Sequence, residues 1–152
     1  MILDDLERFV SDNSGASIEF GSKDNAPSSD WVKRAEAALG CNLPPSYLWF
    51  LSSYGGGEVH GSEIFSIYQL PFEEVVGGDV VAMTLQDRSN GFISETDVAI
   101  CNTDFGEIFV LDSNNMDANG EFAVVRIVGQ QREPYASSFA NFLIKFVGNA
   151  AV

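Results

Sequence analysis

The stretch Leu43–Gly61, LPPSYLWFLSSYGGGEVHG, fixes a helix at both of its ends. Pro44 and Pro45 suit a first turn, where a missing amide proton has no intrahelical bond to lose. Tyr47, Phe50, Leu51 and Tyr54 recur at i, i+3, i+4 and i+7, a buried stripe that Leu48 and Trp49 widen. Gly55-Gly56-Gly57 stops the helix, because a left-handed exit is cheapest at glycine. The same run raises the question of a phosphate-binding loop, which the rest of the chain must answer.

Residues 2–10 set Ile2, Leu3, Leu6, Phe9 and Val10 on a helical stripe with acids between them. Polar sequence, broken by Ile18-Glu19-Phe20, then reads as a loop to Ser29. Asp30–Gly40 predicts a short amphipathic helix capped by Asp30, with Trp31, Ala35, Ala38 and Leu39 on one face and Gly40 as its stop. Glu63–Leu70 reads as a strand closed by Pro71. Gly77, Gly78 and a capping Asp79 introduce a helix from Val80 to Asp87. Val98–Asn102, Glu107–Asp112 and Phe122–Val128 are strand-like, joined by Thr103–Gly106 and the polar Ser113–Gly120, which predicts an antiparallel meander. Ser138 caps a helix through Val147, with Phe139, Phe142, Leu143 and Phe146 on one face and Gly148 as the stop. The expected class is α+β: one domain over 1–152, with a mainly antiparallel sheet packed against helices.

Composition narrows the function classes. The chain is 45% hydrophobic and 12% aromatic, with 12 phenylalanines, which is the profile of a folded domain with an aromatic core. No apolar run approaches the roughly 18 residues of a membrane span, and the start Met-Ile-Leu-Asp-Asp-Leu-Glu-Arg is too acidic for a signal peptide. A soluble, cytoplasmic protein is expected. Cys41 and Cys101 lie far apart outside any Cys-x-x-Cys motif and read as reduced, packed thiols. The net charge of −14 repels nucleic acid and anionic membranes. It favours fast capture of a basic protein.

No catalytic set emerges. Gly56-x-x-x-x-Gly61-Ser62 has part of the phosphate-loop spacing but lacks the lysine and follows a helix, not a strand. The dinucleotide spacing fails at His60, which stands where the third glycine belongs. His60 is the only histidine, so a two-histidine metal site is excluded. Asp112, Asn114, Asp117 and Glu121 mimic a calcium loop, but Met116 takes a ligand position and Asp117 falls where glycine is required. No serine sits in a Gly-x-Ser-x-Gly elbow. The pairs Glu73/Glu74 and Glu95/Asp97 are the proximity expected by chance among 22 acids. No catalytic residue, metal or cofactor is expected, and the chain does not read as an enzyme.

The order of motifs carries a resemblance. Trp31-x-x-x-Ala35-Glu36-x-x-Leu39-Gly40-x-x-Leu43-Pro44 is followed by Pro45-Ser46-Tyr47-x-x-Phe50-Leu51-x-x-Tyr54-Gly55-Gly56-Gly57. Then come the region around Ile64–Tyr68, the Ile100…Asp104-x-Gly106-x-Ile108-x-x-x-Asp112 pattern, and Ala136-Ser137-Ser138-Phe139-x-x-Phe142-Leu143. Over about residues 30–147 this set resembles the SUKH superfamily, which groups fungal cell-wall-synthesis regulators with bacterial immunity proteins. The resemblance implies a SUKH-like α+β scaffold, in bacteria typically one that binds and neutralises a toxin encoded beside it. Trp31, Leu39, Gly40, Pro44, Tyr54 and Gly55 are signature positions with structural roles.

The family does not fix which residues touch the toxin, so charge must place them. A nucleic-acid-attacking toxin carries a basic substrate face that an acidic protein can cover without doing any reaction. The expected contacts are Glu58, His60 and Glu63 after the Pro-Pro helix, then Glu73, Glu74 and Asp79, and the loop acids Asp87, Asp104 and Asp117. The expected function is a non-enzymatic immunity protein with a basic toxin domain as partner. The alternative is a regulatory or scaffolding module related to the cell-wall regulators.

Overall fold

A computed structural model of the chain describes residues 3–75 and 77–149. Ile2, assigned above to the first helical stripe, lies outside the described residues. Among the described residues, five α-helices and seven strands follow in the order α1 (Leu3–Asn13), β1 (Ile18–Phe20), α2 (Ser29–Leu39), α3 (Pro45–Tyr54), β2 (Gly57–Val59), β3 (Ser62–Ile64), α4 (Val80–Ser89), β4 (Asp97–Asn102), β5 (Glu107–Met116), β6 (Phe122–Val128), β7 (Gln131–Ala136) and α5 (Phe139–Asn149). Two antiparallel sheets result, β1-β2-β3 and β4-β5-β6-β7. The fold is α+β, as the order of periodicities implies.

The aromatic stripe of α3 does what its spacing requires. Tyr47, Phe50 and Leu51 are buried, and the Tyr47 and Phe50 rings meet Phe139 of α5 at centroid distances of 5.1 and 5.4 Å. Phe142 and Phe146 continue the α5 face onto Phe109 of β5, each at 5.3 Å. Edge-on and tilted aromatic pairs of this kind add ~0.5–1.5 kcal/mol each beyond their buried area. One carboxylate couples the starts of α3 and α5. Glu121 accepts from Ser46 N (3.0 Å) and Ser46 Oγ (2.8 Å), and Ser46 Oγ accepts from Ala140 N (3.1 Å). An anion at two helix N-termini is favourably placed against both dipoles.

Several expectations are corrected. Helix α2 is capped by Ser28, whose Oγ accepts from Trp31 N (3.3 Å), and not by Asp30, which lies inside the first turn. Ala38 faces solvent, because only Ala35 and Leu39 fall on the buried line of this short helix. Gly148 does not stop α5, which runs on to Asn149. Strand β5 extends to Met116, so the polar loop shrinks around Asp117–Glu121. Strand β7 was not foreseen: Gln131-Arg-Glu-Pro-Tyr-Ala lacks an alternating pattern, and its proline is tolerated only because β7 is an edge.

The largest departure is Glu63–Leu70. Only Ser62–Ile64 pairs as a strand; Phe65–Leu70 is a strap fastened by bonds to other elements. Phe65 N donates to Ile100 O (2.8 Å), at the position where the β4–β5 register shifts, and Tyr47 Oη donates to Phe65 O (2.7 Å). Ser66 bonds Gly78 O and Val80 N, while Ser28 N donates to the Gln69 side chain (2.9 Å). Ile64, Phe65, Ser66 and Ile67 are buried one after another, and beyond Ile64 the segment makes single bonds to β4, α3 and the α4 start in place of a continuous ladder.

Candidate functional site

The three-stranded sheet presents its charge in one line. Its register pairs Glu19 with Glu58 and Glu58 with Glu63, and all three side chains lie on the exposed face. Like charges opposite one another on neighbouring strands are destabilising. No Lys or Arg forms an ion pair with any of the three among the described residues; the recorded pairs are Arg8–Asp5, Arg126 with Glu107 and Glu133, and Arg132–Asp97. The ladder is therefore an uncompensated acidic stripe. Glu58 and Glu63 were expected contacts, whereas Glu19 was missed. A three-residue Ile-Glu-Phe alternation with one polar position was its only signal, too short to separate from a loop.

The hairpin carrying Glu58 and Glu63 turns through His60 and Gly61, with φ of 50° and 83°. Both central residues take the left-handed conformation of the tight two-residue hairpin turn. His60 Nε2 donates to Val147 O (2.8 Å), which ties the hairpin tip to α5.

On one side of the hairpin lies a cleft of about 500 Å³ whose lining includes Gly55–Gly57, Glu63, Ser66 and Tyr68. The glycines are there for close approach. A Cβ on Gly57 would fall 2.5 Å from Glu19 O and Phe20 Cα, and one on Gly55 would run into the Asn25 backbone. They end α3 as expected, and they also let β1 and the Asn25 turn press against the chain. Tyr68 Oη donates to Glu63 Oε2. The phenol sits where a side chain at residue 78 would be, so Gly78 makes its seat.

On the other side is a hollow of about 300 Å³ bordered by His60 and Ser62 and floored by Phe109, Tyr135 and Phe146. Phe105 stands beside it at the tip of the β4–β5 turn, 88% exposed. Phe105 is not among the contacts expected from charge. A large aromatic in the turn Thr-Asp-Phe-Gly, with no periodic partner to bury it, was the available signal.

The remaining expected contacts divide. Asp104 is exposed on the same turn as Phe105. Glu73 and Glu74 are exposed on a 3-10 turn, Phe72–Glu74, and line neither hollow. Asp117 is exposed in the β5–β6 loop beside a different cavity, with Oδ1 accepting from Asn119 N and Glu121 N. Asp79 and Asp87 must be withdrawn as surface contacts. Asp79 is 0% exposed and caps α4, with Oδ1 accepting from Val81 N and Ala82 N and Oδ2 accepting from Tyr68 N (3.0 Å). Asp87 is 4% exposed against Asn102; burial pushes its carboxyl up, and the Asn102 hydrogen bond works the other way. Asp79 is spent as the α4 cap that its sequence position announced, and Asp87 is an inward helix residue that sequence cannot distinguish from an outward one.

The signature positions sit in the frame. Leu39 is buried; Gly40 closes α2 at φ 84°; Pro44 is the N-cap of α3. Trp31 packs edge-on against Phe72 at 5.7 Å, and Tyr54 meets Trp49 and Phe20 just before Gly55. Both cysteines are free thiols, and burial pushes Cys101 up to about 12. No group of three or more His, Cys, Asp or Glu able to hold a metal occurs among the described residues, and no described helix is long and apolar enough to cross a membrane.

Comparison with known families matches residues 29–143 to the SUKH_6 family model, described as SMI1-KNR4 cell-wall. The match begins at α2 and runs into α5, taking in the hairpin, the strap and the four-stranded sheet. It covers more than half of the chain, and the chain belongs to the SUKH family.

Proposed function

We propose that the protein is a non-enzymatic immunity protein, acting in the cytoplasm, that binds a cognate polymorphic or contact-dependent toxin domain and neutralises it by covering a basic surface such as that of a nuclease. The observation that carries this reading is the Glu19–Glu58–Glu63 ladder. Three carboxylates held in register without a compensating cation cost stability in the free protein, and a cationic partner converts that cost into attraction. Phe105, exposed beside acidic Asp104, supplies the kind of aromatic anchor that a charged rim lacks. Blockade by charge and shape needs no proton transfer or nucleophile.

The test is co-expression with the C-terminal domain of a toxin encoded next to this gene. Growth is expected to be rescued by the native protein and lost with a Glu19→Gln, Glu58→Gln, Glu63→Gln triple variant. The purified pair should weaken steeply as salt rises; an affinity indifferent to salt overturns the electrostatic mechanism. A regulatory module is the second reading, favoured by the cell-wall description of the matched family. Absence of a toxin gene alongside, with capture of a cell-wall enzyme, would select it.

A further inference from the structure

Glu63 ends the ladder and also stands in the glycine-walled cleft, so the two features meet at one carboxylate. The lining of the cleft contains acceptors and no Lys or Arg. Gly56 forms part of the wall as bare backbone; a methyl there would lie 2.7 Å from Ser66 Oγ, so that hydroxyl faces the wall. Ser66 is only 5% exposed, and its backbone groups are already bonded to Gly78 and Val80. Its Oγ has no hydrogen-bond partner among the described residues, and Ser66 opens onto the cleft. The hydroxyl keeps its access on the cleft side, where it can accept from a guest in place of water.

The acceptors are held in place. Asp79 fixes Tyr68 through its amide, Gly78 seats the phenol, and Tyr68 Oη spends its proton on Glu63 Oε2. That leaves Glu63 Oε1 and the lone pairs of the phenol oxygen free to accept. Burial first, and then the Glu63 hydrogen bond, push the Tyr68 hydroxyl up, so it stays a donor to Glu63 at neutral pH.

We propose that this cleft captures one guanidinium side chain presented by the partner protein, with Glu63 as its carboxylate and Ser66 Oγ and Tyr68 Oη as further acceptors. The partner's identity rests on the toxin-binding reading; the group seized is the new claim. A guanidinium fits better than an ammonium because its N–H groups fan out in a plane and the acceptors here are spread over three side chains. The rings of Tyr54 and Tyr68 border the same space and favour a flat cation. An anion is repelled by Glu63 and its ladder neighbours. A metal would find a single carboxylate among the lining residues.

The test is an NMR titration of the full chain, amide peaks assigned, with N-acetyl-arginine methylamide, alongside its lysine and citrulline counterparts. Saturable shifts are expected at Gly55, Gly56, Gly57 and Tyr68 with the arginine compound, weaker ones with lysine, and none with citrulline. Glu63→Gln, an exposed change that leaves the fold intact, should lower the arginine affinity about tenfold, and Tyr68→Phe about threefold. Equal response to citrulline, equal response to lysine, an unaffected E63Q, or shifts confined to acids outside the cleft would each overturn the proposal. The two readings fail separately. Growth rescue that survives E63Q discards the cleft and keeps the immunity protein, whereas specific arginine capture without any rescue keeps the cleft and discards the toxin.

Discussion

Asp79 shows how much one buried carboxylate can organise. It is wholly enclosed, and it is solvated by three backbone N–H groups, from Tyr68, Val81 and Ala82, instead of by water. Replacing it with alanine removes the α4 cap and unfastens the strap at Tyr68. Asp79→Ala is expected to lower unfolding stability by about 3 kcal/mol in urea denaturation, and Asp79→Asn, which keeps one acceptor, by less. The Tyr68 and Glu63 resonances should move in both variants, because the phenol loses its fixed position. The helix-capping part of this was legible in the sequence, since Gly-Gly-Asp before an apolar run is a helix start. The link to Tyr68 was not. It joins positions eleven apart through a side chain, and no periodicity encodes such a contact.

Among the elements, the helices and the apolar runs of β4, β5 and β6 were legible, whereas the three-residue strands, β7 and the Glu63–Leu70 strap were not. Helices α3 and α5 announced themselves through aromatic stripes, and β4, β5 and β6 through apolar runs bounded by turn residues. The three-residue strands β1, β2 and β3 are shorter than the window in which alternation is detectable. Their existence depends on the glycine-permitted approach of β1 to Gly57, a tertiary fact. The acidic stripe was half legible for the same reason: Glu58 and Glu63 stood out beside the glycine run, but their alignment with Glu19 needs the register. That alignment makes a distinctive prediction. Glu58 has a carboxylate on both sides, so Glu58→Gln should raise the thermal midpoint of the free protein while weakening the proposed complex with a basic partner. A variant that lost both stability and binding would point to a structural role for Glu58 instead.

For the molecule as a whole, charge acts on folding and on association in opposite directions. A net charge of −14 makes the folded state repel itself, and added salt relieves that repulsion. As the screening length shrinks from about 30 Å at 10 mM to about 8 Å at 150 mM salt, the unfolding midpoint of the free protein should rise. Over the same interval the complex should dissociate faster and form more slowly. Calorimetric scans set beside binding kinetics in one salt series would show whether the two trends diverge. The glycine wall of the cleft has a further consequence, in how such a protein can diverge. Bare backbone has no rotamers to freeze when a guest arrives, so the wall is preorganised without side-chain entropy to lose. It is also closed to substitution, because the chain packs against Gly55 and Gly57 from behind. Change in what the cleft accepts is therefore confined to rim side chains such as Gln69 and Leu70, while the wall stays as it is.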